Sequence, residues 1–392
     1  MTATPFEIRE LVAADLPAVT LMTQLAFGSL GSKPAEREWT RYVAVTPAGE
    51  ILGTASDLHR HHWWGGHRVS AADVSHVAVL PEARGQGIAG ALMAALLEGA
   101  RDRGAAVSTL FATVAAVYRA SGWGAVGTRH LAEFPTAILP VHRRDPDLIV
   151  RAGGPADRVA AGELYTAVAR SRNGMQCREV APWGPAGYLD EDVHGITVVE
   201  DSHGMAGFAS WRSGEGHDAD AVLTVVDLVA TNRDATRELL AVLGSSSAVA
   251  PTTRFRAILT GVVAGELPMA KAGRHRIDPL MHRVVDVVRA VDQRGWPVAM
   301  RATASFDLVD KVCPWNSGSW EVEIADGKGR IGRTAPRSGL RLDVQGLAVL
   351  LTGAMSPSML VEAGLLAVDP GADPAPLAGL MSGPAAESLD FF

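Results

Sequence analysis

Apolar and polar positions follow two periods along this chain, and the switches between them mark its elements. FEIREL (6–11) alternates as a short strand, and Ala14 to Phe27 takes the spacing of a helix. RYVAVT and ILGTASDLHRHHWW read as strands joined at PAGE (47–50), and HRVSAADVSHVAVLP continues as strand up to Pro81. EARGQG is then a glycine-bearing loop, and IAGALMAALLEGARDRG a helix closed by Gly104. VSTLFAT predicts a buried strand, VAAVYRASG a short helix and WGAVGTRHLAEF a last strand segment.

The order then restarts. RVAAGELYTAVARSR predicts a helix, and GITVVED and MAGFASWR form a hairpin around SHG, like the earlier ILGTASDL. AVLTVVDLVATNRDATRELLAVLG runs from strand into helix, as HVAVLPEARGQGIAGALMAALL does before it. The parallel suggests a divergent duplication. Its second copy has TNRDAT in place of PEARGQG, so the glycines are gone, and with them the close backbone approach that a phosphate needs.

A third pattern starts near Asp278. IDPLMHRVVDVVRAVDQRG predicts an amphipathic helix ending at Gly295. VAMRATASFDLVD, SWEVEIADGKGRIGRT (with DGKG as a turn) and GLRLDVQGLAVLLTG follow as strands and a helix. Together they predict a small α+β domain with an antiparallel sheet. A Pro/Gly/Ala-rich stretch from Pro370 to Ala386 leads to a chain end of two phenylalanines, Phe391 and Phe392. The expected fold class is α/β and α+β, in three domains at 1–142, 143–276 and 277–392.

Length and composition narrow the field. At 392 residues, with 47% hydrophobic and 20% charged positions, the chain is long enough for several cores. A formal net charge of -7 argues against nucleic acid as a partner. The two cysteines, Cys177 and Cys313, have no CxxC spacing and form neither a disulfide framework nor a recognisable zinc site. MTATPFEIRELVAADLP lacks the basic start and apolar core of a signal peptide, and no apolar run approaches the roughly 20 residues of a membrane span. The expectation is a soluble, cytoplasmic protein without a membrane partner.

HVAVLPEARGQGIAGALM carries the chemistry. A buried strand ends at Pro81, the loop holds Arg84, Gly85 and Gln86, and Gly87 opens a helix whose first N–H groups and dipole favour an anion such as a diphosphate. The spacing fits neither the GxGxxG of dinucleotide folds nor the GxxxxGK[ST] of P-loops. It is similar to the R/Q-x-x-G-x-G/A signature of GNAT acetyltransferases, with Arg84, Gly87 and Ala89 in the defining places; the bland alternative is a tight strand-to-helix turn. Further on, YRASGW sets Tyr118 before Gly122 and Trp123, resembling the Y-x-x-x-G-[FY] ending of GNAT folds. A phenol, with a pKa of about 10, can protonate a departing thiolate. Out of that context Tyr118 reads as a half-buried core residue.

Two GNAT-like halves, a C-terminal α+β domain and a terminal phenylalanine resemble, over essentially the whole chain, the Eis (enhanced intracellular survival) family of acetyltransferases. The resemblance implies tandem GNAT domains, the central one degenerate, followed by a sterol-carrier-protein-like domain whose tail enters the active site. It implies acetyl-CoA as the acetyl donor, a small amine-bearing acceptor of the aminoglycoside or polyamine type, no metal, and a homo-oligomer, specifically a hexamer. Tyr118 would be the general acid, and the α-carboxylate of Phe392 the general base. That carboxylate has a reference pKa of about 3.5, which docking beside phenylalanine rings would raise.

The family's cofactor contacts fall here on Val77, Ala78 and Val79 for the pantetheine arm, and on Arg84, Gly85, Gln86, Gly87, Ile88, Ala89 and Gly90 for the pyrophosphate. Thr113 and Val114 follow at the end of the next strand. The acceptor pocket would take Trp39, in the N-terminal helical segment, with His76 and Phe391. Ser29 and Phe391 stand where members of the family carry acids, so the match leaves aminoglycosides open; Asp390 and Glu387 lie close to the chain end. No cysteine lies near the motifs to hold an acetyl group, which favours direct transfer in a ternary complex. His59, His61, His62 and His67 crowd LHRHHWWGGHRV, but without a neighbouring acid or thiol the stretch reads as a solvent-facing or interface hairpin rather than a metal site. Arg151, Arg158, Arg170 and Arg172 read as a solvated face. Two further readings stand beside the first: a lipid- or ligand-binding protein acting through the third domain with a vestigial GNAT half, and a protein-lysine acetyltransferase.

Overall fold

The computed structural model describes residues 5–28, 39–140, 145–178, 193–214, 220–257, 261–267, 273–335, 338–381 and 383–391. The chain divides into two units, the first made of residues 1–127 and 279–386, the second of 128–278 and 387–391. In chain order the first half holds β1 (Glu7–Glu10), α1 (Leu16–Phe27), β2 (Trp39–Val45), β3 (Ile51–Trp64), β4 (His67–Val79), α2 (Ile88–Asp102), β5 (Val107–Phe111), α3 (Ala115–Arg119) and β6 (Gly124–Pro135). The middle holds β7 (Ile149–Ala152), α4 (Arg158–Arg170), β8 (Gly195–Asp201), β9 (Gly204–Ser213), β10 (Val222–Ala230), α5 (Arg233–Gly244), β11 (Thr252–Ala257) and α6 (Val262–Glu266). The rest is β12 (Arg274–Val284), α7 (Val287–Gln293), β13 (Ala302–Val309), β14 (Gly318–Ala325), β15 (Lys328–Arg333), β16 (Leu340–Asp343), α8 (Val344–Leu351), α9 (Pro357–Glu362), β17 (Leu366–Val368) and β18 (Ala386–Glu387).

In the first unit β1 to β4 pair antiparallel in sequence order, β4 pairs parallel with β5, and β5 pairs antiparallel with β12. α2 supplies the crossover. Its Leu92, Met93, Leu96, Leu97 and Ala100 recur at helical spacing and are fully buried against Ala44, Ala55, Ala72 and Val74 of the sheet. Each such leucine contributes roughly 1.5–3 kcal/mol. The C-terminal part of this unit is a second sheet, ordered β15-β14-β13-β16-β17. Trp320, Val322 and Ile324 alternate inward from it, and share a core with Phe306, Leu342 and the leucines of α8.

Two expectations change here. The sheet expected to be antiparallel carries one parallel pair, β13 with β16. The helix expected from Asp278 to Gly295 is in fact a strand and a short helix. Leu280 to Val284 pair with Phe111 to Val107, and only Val287–Gln293 is helical, started by Asp286, whose side chain accepts from the amides of Val288 and Arg289. Apolar residues there satisfy both periods, and the partner strand β5 lies far upstream.

The second unit repeats the plan of the first. β8, β9 and β10 are antiparallel, α5 crosses over, and β11 returns parallel to β10. β6 then pairs antiparallel on the far side of β11, through His130 to Pro135. The two crossover helices begin differently. α5 is capped by Asn232, whose side chain accepts from the Ala235 amide at 2.8 Å, whereas α2 follows left-handed Gly87 with no side-chain cap.

Candidate active site

The loop between β4 and α2 is held open by backbone conformation. Pro81 to Ala83 form one 3-10 turn, and Gly85 and Gly87 then take φ of 79° and 81°, values that a side chain resists. A Cβ placed on Gly85, Gly87 or Gly90 would meet nothing within 4 Å, so the loop faces open space at all three. The first intrahelical bond runs from the Ala91 amide to the Gly87 carbonyl, and helix geometry leaves the amides just before it directed at that space. Arg84 bends back, its Nε donating to the Val79 carbonyl at 3.4 Å.

β4 and β5 part in front of this loop. Their pairing covers Ala71–Asp73 with Val107–Thr109 and ends there, while β4 runs on to Val79. On its other edge β4 has a bulge: Thr54 faces Ala78 and Ser56 faces Ser75, so Ala55 alone stands opposite His76 and Val77. His76 takes a φ of 51° to accommodate it, one of two non-glycine residues with positive φ among those described. The bulge re-aims the backbone of Val77, Ala78 and Val79 next to the gap.

Tyr118 sits on α3. It is buried, edge-on to Trp123 at 6.2 Å, and belongs to an apolar cluster with Leu110 and Met281 on which Val77, Val79 and Ala115 pack. Burial raises its pKa above the usual phenol value, so the hydroxyl keeps its proton. The structure thus gathers Val77, Val79 and Tyr118 into one cluster, with the glycine loop following directly from the same strand. Thr113 and Val114 lie beyond the end of β5, in the exposed turn that leads into α3.

Trp39 does not lie in a helical segment. It opens β2, with the Arg41 guanidinium 4.8 Å from its ring centroid. Phe391 belongs to the second unit, is 54% exposed and lies under the Arg129 guanidinium at 4.0 Å. Ser29 and Phe392 fall outside the described residues. The histidine hairpin is buried along its strand and exposed at its turn, where Gly65, His67 and Arg68 face solvent. Trp63 and Trp64 are buried, and the Gly65 backbone is packed against that of Gly295. Arg151 is engaged by Asp157 and Glu200, and Arg172 by Glu387.

The pairing and burial of several polar groups escaped the sequence reading. His62 of β3 puts Nε2 at 2.8 and 2.9 Å from the two carboxylate oxygens of Asp73, and Thr109 of β5 donates to the same carboxylate. All three are fully buried. Asp57 is gripped by the Arg103 fork at 2.8 and 2.9 Å, yet burial lifts its pKa to about 6. Asp390 and Glu387 of the tail are also buried. None of these pairs has a local signal, because the partners lie on different strands or at opposite ends of the chain.

Comparison with known proteins agrees with this geometry. Residues 7–126 match the acetyltransferase (GNAT) domain family, and residues 287–385 the sterol carrier protein domain family. An uncharacterised N-acetyltransferase of Streptomyces avermitilis is 28% identical, over 86% of this chain and 88% of its own. A GCN5-related N-acetyltransferase structure from Kribbella flavida superposes with a TM-score of 0.83 at 27% identity, covering 99% of this chain and 98% of that one. Residues 7–126 are therefore a GNAT acetyltransferase domain, and the enzyme is an acetyltransferase. Eis1 from Mycobacterium abscessus has the same fold, with a TM-score of 0.73 at 22% identity over 99% of this chain and 100% of its own. The chain thus joins a GNAT acetyltransferase domain at its N-terminal end to a sterol-carrier-protein domain in its C-terminal part.

Proposed function

We propose that the protein transfers an acetyl group from acetyl-CoA to a primary amine of a small, polyamine- or aminoglycoside-like acceptor, by direct attack in a ternary complex. The observation that carries the reading is the helix start at Gly87. There two left-handed glycines, open space where their side chains would be and first-turn amides that helix geometry leaves without an intrahelical partner occur together beside the gap between β4 and β5. The residues present fit acetyl-CoA. The amides of Gly85 to Gly90, with Arg84, would hold the diphosphate, and the re-aimed backbone of Val77, Ala78 and Val79 would bond the pantetheine arm. Thr113 and Val114 would flank the arm on the β5 side. Acetyl-CoA supplies the acetyl group as a thioester.

The proton steps belong to the chain. As the C–N bond forms, the ammonium proton passes to the α-carboxylate of Phe392. As the C–S bond breaks, the thiolate takes the proton of Tyr118, whose raised pKa keeps it in the donor form. Trp39, His76 and Phe391 would line the acceptor side. By likeness to its family the enzyme works as a homohexamer in the cytoplasm.

Thiol release from acetyl-CoA with a panel of amines tests this, on the wild type and on a chain extended by two glycines after Phe392. The extension keeps every side chain and moves only the carboxylate. Turnover should collapse while acetyl-CoA still binds; unchanged turnover removes the chain end from the mechanism. Tyr118→Phe preserves the ring against Trp123 and should lower kcat by about 100-fold, the scale of one general acid. Wild-type protein that turns over no amine would refute the proposal as a whole.

A further inference from the structure

Tyr118 stands near the end of α3, a helix of five residues that is too short to hold its own geometry. Backbone bonds close the turn behind it. The Ser121 and Trp123 amides both donate to the Tyr118 carbonyl, at 3.0 and 3.1 Å, and the Gly122 amide donates to the Arg119 carbonyl at 3.0 Å. Gly122 takes a φ of 95° to allow this. What the turn rests on comes from far downstream in the chain. Arg283 of β12 is fully buried, and its Nε donates to the Ser121 carbonyl at 2.8 Å. The same guanidinium lies 5.6 Å from the centroid of Trp123, the ring that stands edge-on to Tyr118. A Cβ on Gly122 would come within 3.1 Å of Arg283 Nε and 2.8 Å of Val344 on α8, so the turn lies tightly against both.

The guanidinium is itself fixed. One terminal nitrogen donates to Asp310 Oδ1 at 2.7 Å and the other to the Val284 carbonyl at 2.6 Å. Asp310, just past β13, also accepts from the amides of Val312 and Cys313 and from the Asn316 side chain. Asn316 ties back to the end of β12, accepting from the Val287 amide and donating to the Val285 carbonyl. Arg283, Asp310 and Asn316 are all buried. Such an ion pair is a poor source of stability, because desolvation of the two charges offsets most of their attraction. A planar guanidinium with three directed bonds does, however, fix the segments that it joins.

We propose that Arg283, held by Asp310, is a positioning residue for the transfer reaction: it fixes the α3 turn and the Trp123 ring against which Tyr118 stands, and so places the phenol that protonates the departing thiolate. Asp310 lies in the stretch that matches the sterol carrier protein domain, so that domain takes part in placing the acid. This rests on the reading of Tyr118 as the general acid.

Arg283→Lys is the direct test. It keeps a charge beside Asp310, so no buried carboxylate is stranded, but one ammonium cannot reproduce the fork that holds Asp310 and the Ser121 carbonyl together. Asp310→Glu is its companion, and carries the test if the lysine variant does not fold. It keeps both charges and displaces the guanidinium by about 1.5 Å, the length of one C–C bond. Each change is made in the wild type and in Tyr118→Phe, and assayed by thiol release from acetyl-CoA with the amine of the panel that turns over fastest, alongside acetyl-CoA affinity and thermal midpoint.

In the wild-type background kcat should fall about tenfold, within the roughly 100-fold that one general acid supplies, with acetyl-CoA affinity unchanged. In the Tyr118→Phe background the same changes should cost nothing, because the acid that they misplace is already gone. A loosened fold would instead lower kcat by the same factor with or without the phenol. Equal losses in the two backgrounds, or wild-type kcat in the folded variants, overturn the positioning and leave the acid reading standing. If Tyr118→Phe itself turns over like the wild type, the acid reading fails and the positioning with it.

Discussion

At the scale of single residues, the glycines of the loop separate conformation from space. Gly87 has a φ of 81°, so Gly87→Ala strains the backbone by about 1–2 kcal/mol and should lower stability and acetyl-CoA affinity together. Gly90 differs. It lies in the first turn of α2, free of positive φ, and a Cβ there would touch nothing within 4 Å. Gly90→Ala should therefore stabilise the fold by about 0.5–1 kcal/mol through helix propensity, yet weaken acetyl-CoA binding at least tenfold by filling the face where the diphosphate would sit. Calorimetric titration with a thermal melt reads both; a stabilised variant with wild-type affinity would exclude this helix start as the diphosphate site. These residues were legible in the sequence because their signal is local: a turn, a cap position, a short spacing. The φ of His76 was not, since it follows from two residues facing one across a strand pair.

At the scale of elements, the duplication supplies its own control. Both halves fold as four antiparallel strands, a crossover helix and a returning parallel strand, and alternation shows the central hairpin and the strand-to-helix step of each, but not β7 or β11 of the second. They diverge at the helix start. α5 closes its first turn with the Asn232 side chain, which takes the place an anion would need. One acetyl-CoA should bind per chain, at the first half. A titration that ends near two per chain would show that the second half also binds, capped helix or not. The segment from Asp278 to Gly295 marks where such reading stops. Leu280, Met281, Val284, Val287 and Val291 suit a helical face, yet Leu280 to Val284 are drawn into a strand by β5. Local period cannot encode a partner that distant. Trp39 shows the same limit, since its place as the first residue of β2 depends on pairing with Leu58.

At the scale of the whole molecule, the least legible feature is the set of buried charges, and it makes stability depend on pH. His282 of β12 is buried with its ring 4.9 Å from that of Trp64. Burial lowers its pKa to about 3, with His62 and Arg294 pushing the same way. Unfolded, it would titrate at about 6.5. Between those values the unfolded chain holds a proton that the folded chain lacks, so this group's contribution is present above pH 6.5 and is lost as pH falls, by about 1.4 kcal/mol per unit. Asp57 acts in the opposite sense. Its folded pKa of about 6 lies above the ordinary carboxylate value, so the folded chain gains stability from it as pH falls through that range. Because the two oppose each other, the wild-type slope alone reports neither. The difference between wild type and His282→Gln does. Relative to the wild type, the variant should gain about 1.4 kcal/mol for each pH unit below 6.5, read from urea midpoints at a few pH values down to about 4.5. An offset that stays constant with pH would mean that His282 titrates alike in both states, and that water reaches its ring.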